Sequence, residues 1–278
     1  MGRGIYVEAR VAAPMDRLGH ATQDPDAHAS WDLRFSSITH LPTPDGEPRR
    51  FRYDNRTVPL APMTGVGVSL GERHRPDGSC TSALRFSADS RLSPIASGDG
   101  YWRYVPDGPE IRFFTGYDYV PGWQGALLDR VLVRPAIGWM TAWSFDRLRL
   151  WLDHGISPAA SVRRTVAVWA ARLSVTVAAV AAVPLLRLSP AVAAGLALVV
   201  LVVPSPVLVP QARRCLRRPP VGTRPTPPTI ARAVDEAALG RARRHTQDLA
   251  ARPGASPATV TSPVTAPVTA PVGAEDAP

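Results

Sequence analysis

GYWRYVPDGPEIRFFTGYDYVPGW, residues 100–123, decides the fold. Two runs rich in aromatic and β-branched residues, 100–105 and 111–120, flank Asp107-Gly108, the strongest short-range hairpin signal. Along the second run Ile111, Phe113, Thr115, Tyr117 and Tyr119 fall on one face, and Arg112, Phe114, Gly116 and Asp118 on the other. Period-2 alternation of this kind makes the first face the inward one and the strand part of an antiparallel sheet covered on one side. From residue 123 to 154 Pro135 is the only turn signal, and Leu127, Leu128, Val131, Leu132, Trp139, Ala142, Trp143 and Leu150 recur at helical spacing. This long helix is what the sheet packs against.

The same pattern extends upstream. Strand-like runs at 35–41, 49–58, 64–74 and 80–87 are separated by TPDGEP (43–48) and RPDGS (75–79), each holding Asp-Gly. IYVEARV (5–11) alternates as an opening strand. PMDRLGHATQ (14–23) and DPDAHASW (24–31) read as two short helices, with Asp24 as N-cap and Pro25 at the first position of the second. The order is strand, two short helices, six strands, long helix: an α+β architecture. EARVAAPMDRLGHATQDPDAHASWD (8–32), together with the late hairpin, resembles the START-like superfamily (the SRPBCC group of polyketide cyclase, dehydrase and lipid-transport proteins). The resemblance covers nearly all of residues 1–153. It implies a helix-grip fold, with a curved sheet around the long helix, a deep apolar cavity and a hydrophobic ligand. That family has no shared catalytic motif, so it supplies no site residue.

Alternation nominates the cavity lining directly. Phe51, Tyr53 and Asn55 face inward, with Arg50, Arg52, Asp54 and Arg56 outward. Trp102 and Tyr104 share the face of Phe113, Thr115, Tyr117 and Tyr119, and Trp139 and Trp143 on the long helix press down from above. A few polar handles in apolar walls are the usual composition of a small-molecule site.

Charge separates the chain in two. Residues 1–154 hold 18 arginines and 18 acids; residues 155–278 hold 14 and 5, which is the whole net charge of +9. A neutral N-terminal domain has no electrostatic footprint for a phosphate backbone, so no nucleic-acid partner is expected. The surplus flanks apolar segments instead. Residues 188–209 carry no charge over 22 positions, and 165–186 are apolar apart from Arg172, whose stem can snorkel to an interface. Two spans are expected, at about 165–186 and 188–209; one span with an interfacial partner, or a buried soluble hairpin, are the alternatives. Arg163 and Arg164 before the pair and Arg213, Arg214, Arg217 and Arg218 after it place both ends in the cytoplasm of a bacterium by the positive-inside bias. The N-terminus lacks a signal-peptide core, and Tyr6 departs from the myristoylation pattern.

The expected organisation is a ligand-binding domain at 1–153, a membrane hairpin at 165–210, and a basic, proline-rich, largely disordered tail at 211–278. A weak basic helix at 229–251 and a V-T-x-P repeat at 260–272 belong to that tail. Cofactor and metal motifs are missing. Gly65, Gly67 and Gly71 miss the dinucleotide spacing, and the six histidines show no paired zinc spacing. Cys80 has no base partner evident in sequence, and Cys80 and Cys215 form no metal or redox motif. His20, His28, Asp26 and Asp32 read as solvated. Asp118 is the best single acid, yet alternation turns it outward. Two functions fit: membrane-anchored binding of a hydrophobic small molecule or lipid, or a polyketide cyclase/dehydrase-like enzyme acting on a membrane-partitioning substrate.

Overall fold

Residues 4–44, 47–56, 63–90, 93–185 and 189–220 are described by the computed structural model of the chain. Their strands form one sheet in the order β1-β7-β6-β5-β4-β3-β2, every pair antiparallel. β2 (Ser37–Leu41), β3 (Arg50–Asn55), β4 (Met63–His74), β5 (Cys80–Ala88), β6 (Ile95–Asp107) and β7 (Glu110–Pro121) make a meander. β1 (Ile5–Val11) closes the far edge against β7, with Ile5 opposite Tyr117 and Val11 opposite Ile111. β6 starts five residues before the aromatic run, because Ser97 to Gly100 pair with β7 in spite of their low strand propensity.

The connection from one sheet edge to the other is made by α1 (Met15–Gln23) and α2 (Pro25–Trp31). Asp24 caps α2, its carboxylate accepting the Ala27 N–H at 2.8 Å. After β7 a short turn, α3 (Gly125–Leu128), and a π-helical turn (Asp129–Val133) lead into α4 (Arg134–His154). α4 lies across the inward face of the sheet, where Phe145 stacks on Phe113 at 4.7 Å and Trp31, Leu18 and Leu148 are fully buried. Each such side chain contributes about 2 kcal/mol by leaving water. The outward face carries a smaller cluster of Tyr6, Ala83, Tyr101 and Phe114. A bent antiparallel sheet gripping one long helix is the helix-grip α+β fold expected from the sequence.

α5 (Pro158–Leu185) follows three residues after α4, and α6 (Pro190–Val202) runs beside it. At ~1.5 Å per residue they measure roughly 42 and 20 Å. Residues Pro158–Val183 of α5 are long and apolar enough to cross a membrane, with mean hydropathy 1.9 over a window none of which is buried. α6, at 13 residues, is shorter than the ~20 a span needs. It stops at Val202 because Val203 precedes Pro204, which forces extended backbone there (φ −51°, ψ 127°). Arg172 does not point away as a lone snorkelling side chain: it donates to the Val203 carbonyl at the end of α6 and to Ser205 Oγ.

Beyond the hairpin the chain returns to the domain, so the tail does not begin at 211. The Gln211 N–H donates to Asp146 Oδ2 on α4 at 2.7 Å, and Arg214 Nη1 donates to the same oxygen at 3.0 Å. The thiol of Cys215 is buried against the Ala142 carbonyl, and Leu216 exchanges both backbone hydrogen bonds with Glu8 on the edge strand β1. The 229–251 helix and the 260–272 repeat lie outside the described residues.

Candidate functional site

Between the sheet and α4 lies a hollow of about 760 Å³ at one end of the inward face. Its floor is thinned by two glycines on β4. A Cβ on Gly67 would stand 2.1 Å from Phe51 Cζ, and one on Gly65 2.3 Å from the Tyr53 hydroxyl, so both rings of β3 cross the neighbouring strand where it has no side chain. α4 contributes Ile137 and Met140 to the roof.

Six of the eleven nominated residues line this space: Phe51, Tyr53, Asn55, Trp102, Thr115 and Tyr117. Phe113 and Tyr104 share their face but sit at its filled end, stacked on each other at 5.1 Å beneath Phe145. The Tyr104 hydroxyl lies 2.8 Å from Thr22 Oγ1 and accepts from Gln23 at 2.9 Å. Tyr119 is also packed away: it donates to Asp129 at 2.6 Å under the Arg134 guanidinium. Trp143 is buried in the core with Arg147 over its ring, whereas Trp139 is 48% exposed. The two tryptophans therefore do not roof the cavity. α4 turns Ile137, Met140 and Thr141 toward the sheet, which leaves Trp139 on its outer flank with the exposed Leu128 and Leu132.

The polar centre of the cavity is a group that the sequence reading placed in solvent. Asp32 is 1% exposed. Its carboxylate accepts from Arg34 Nε at 3.0 Å and Nη2 at 2.6 Å and from the Arg34 backbone N–H, and lies 3.2 Å from His28 Nε2. Arg34 and His28 both line the hollow. The guanidinium stands 5.4 Å from the Tyr117 ring centroid and 5.6 Å from that of Phe35, within cation–π range. Burial alone works against the Asp32 carboxylate, but the Arg34 charge and the hydrogen bonds from His28 and Arg34 hold its pKa well below the usual range. Burial lowers His28, so the imidazole is neutral at pH 7. Tyr117 is raised by burial, and its hydroxyl lies 2.8 Å from Thr141 Oγ1. Asp118 faces outward, as alternation requires, and is paired with Arg134 at 2.7 Å.

The site can thus receive an apolar body against Phe35, Phe51, Trp102 and Met140 and present the buried, Asp32-fixed Arg34 guanidinium to a polar end, with the exposed Arg49 also on the lining. Asp32 and Arg34 were invisible to periodicity because they lie in the short link between α2 and β2. The available signal was a carboxylate and a guanidinium two residues apart directly after a buried tryptophan.

No family model matches the chain. An uncharacterized membrane protein of Bacillus subtilis (strain 168), YndG, is 38% identical over 165 residues, which are 58% of this chain and 62% of that protein. The match therefore spans less than two thirds of the relative's length. Among solved structures, a STAR-related lipid transfer protein from Xanthomonas axonopodis (fragment 25–204) aligns with a TM-score of 0.40 and 21% identity, covering 52% of this chain and 82% of that one. The aromatase/cyclase Zhui from Streptomyces sp. R1128 aligns with a TM-score of 0.39 and 17% identity, covering 55% and 97%.

Proposed function

We propose that this chain is a membrane-anchored binding protein whose cavity holds a hydrophobic small molecule or lipid with a polar or anionic end. The observation that carries the reading is the hollow of about 760 Å³ with aromatic and aliphatic walls and one internal guanidinium. That volume lies within the ~300–1,000 Å³ of small-molecule sites. An aliphatic chain would lie along Phe51, Phe86 and Met140, and its head would meet Arg34, which Asp32 fixes in position. Membrane attachment is supported by α5 and by the description of the Bacillus subtilis relative as a membrane protein. In this reading both ends of the hairpin stay on the arginine-rich, cytoplasmic side.

A second reading, of cyclase or dehydrase type, draws on His28. With Nε2–H donating to Asp32, the basic lone pair is on Nδ1 of a neutral imidazole beside the cavity.

Native mass spectrometry of the detergent-purified full chain tests both. Binding predicts a co-purified apolar molecule whose mass is unchanged on long incubation, and which is lost in Arg34→Met. Turnover of that molecule, abolished in His28→Gln, establishes the second reading. An empty cavity that takes up no extracted membrane lipid overturns the first.

A further inference from the structure

We propose that Glu72, His74 and Cys80 form a binding site for a single divalent transition-metal ion of the zinc class, at the rim of the cavity. Along the sequence no histidine pair is spaced for zinc. The β4–β5 hairpin supplies what linear spacing did not. His74 and Cys80 are direct cross-strand partners, and Glu72 lies opposite Ser82, on the same inward face.

That face is not the one strict alternation would give them. Ser69 pairs with Leu84 on the inward side, whereas Gly71 pairs with Ala83, which belongs to the outward cluster. One extra residue between them, Leu70, is a β-bulge that shifts the phase of β4, turning Glu72 and His74 inward beside Cys80. Gly71 takes φ +109° there, a conformation L side chains rarely adopt. Bulges of this kind re-aim side chains next to functional sites.

The donor geometry fits a metal better than it fits a nucleophile. Cys80 Sγ lies 3.8 Å from His74 Nε2, and Glu72 Oε2 lies 3.6 Å from the same nitrogen, with all three donor atoms within 4.8 Å of one another. With Zn–S of about 2.3 Å and Zn–N and Zn–O of about 2.0–2.2 Å, tetrahedral ligands stand about 3.5 Å apart. An acid–histidine–thiol relay needs the orienting carboxylate and the thiol on opposite ring nitrogens; here both converge on Nε2. Thiolate, imidazole and carboxylate together are the donor set of zinc rather than of magnesium or calcium. Three protein donors leave a coordination position for water or a ligand. Glu72 also borders the hollow, so the ion would stand at its edge. The site stands on its own whether or not the cavity carries a lipid.

The test uses full-length protein made without a polyhistidine tag, with Zn²⁺ alone titrated against a chromophoric chelator and Co²⁺ as a spectroscopic substitute. The expected result is one equivalent of metal and a thiolate-to-cobalt charge-transfer band. Cys80→Ser should abolish the band, His74→Gln and Glu72→Gln should weaken Zn²⁺ binding at least tenfold, and Cys215→Ser should leave both unchanged. Glu72 is 44% exposed in its side chain, so Glu72→Gln leaves folding intact and stands as a test even where Cys80→Ser fails to fold. Stoichiometric binding that is absent, that survives Glu72→Gln at full strength, or that disappears with Cys215→Ser overturns the site.

Discussion

Replacing Asp146 with alanine should release the returning chain from the domain. The Asp146 side chain is fully buried; Oδ1 accepts from Arg149 Nε at 2.8 Å, and Oδ2 accepts from the Gln211 N–H and Arg214 Nη1. Two charge-assisted hydrogen bonds therefore hold residues 211–214, each contributing about 1.5–3 kcal/mol. Their loss also strands the Gln211 N–H and leaves Arg214, 23% exposed, facing a vacated pocket. A local destabilisation of about 3–4 kcal/mol is expected, or roughly a 10²–10³-fold rise in the opening equilibrium at 1.4 kcal/mol per decade. Amide hydrogen exchange reads this directly, because Glu8 and Leu216 exchange two backbone hydrogen bonds of 2.9 Å that exist only while the segment is docked. In Asp146→Ala the Gln211, Leu216 and Glu8 amides should exchange about a hundredfold faster, while amides in the β6–β7 pair hold their rates. Asp146→Asn, which keeps an acceptor oxygen, should fall between. If those three amides keep wild-type protection in Asp146→Ala, Asp146 is not what holds the segment.

Gly67→Val should push the Phe51 ring into the hollow, since even a Cβ there would stand 2.1 Å from Phe51 Cζ; displacement of a fluorescent fatty acid should show at least tenfold weaker binding, with secondary structure by circular dichroism retained. Arg34→Met leaves the buried Asp32 carboxylate without its cation and should cost about 3–5 kcal/mol in denaturant unfolding, with Asp32→Asn/Arg34→Met recovering part of it; a fully additive double variant argues that the pair is not coupled. For pH, both His28 and Asp32 are lowered on folding, so the unfolded chain binds their protons more readily. The stability they contribute is present above the unfolded values of 6.5 and 3.8 and is lost as pH falls, through His28 first and Asp32 later. His28→Gln should flatten the fall in thermal stability just below pH 6.5, and an unchanged slope in that variant removes His28 as its source.

Strand count, the order of elements along the chain and the long helix were legible because most strands alternate and the Asp-Gly turns mark hairpins. Which inward residues border empty space was not. Phe113 and Tyr117 share a face and a strand, yet Phe145 stacks over the first, whereas the second meets Arg34 and Thr141 at the wall of the hollow. α4 misled for a different reason: between Thr141 and Leu150 it is buried by the sheet on one side and the returning chain on another, so a stripe of apolar residues does not say which side any one of them serves. Trp139 was misassigned on that account. The Glu72–His74–Cys80 cluster needed the bulge at Leu70, a single-residue phase change that strict alternation cannot anticipate. Burial of Asp32 and His28 is not legible in sequence, because polar residues near a helix end are usually solvated.

Asp146 and Arg147 are neighbours on α4, and they grasp opposite ends of the same excursion: Arg147 donates to the Pro158 carbonyl where α5 begins, and Asp146 receives Gln211 where the chain comes home. A globule hung on one floppy leash would tumble through most orientations above a bilayer. Mounted at two adjacent points on its own backbone helix, this one would, with α5 embedded as proposed, keep its opening at a nearly constant height and bearing. If the cavity binds a lipid as proposed, that molecule would arrive at a fixed port, and supply along the lipid surface, more than rotational search, would set the pace of loading.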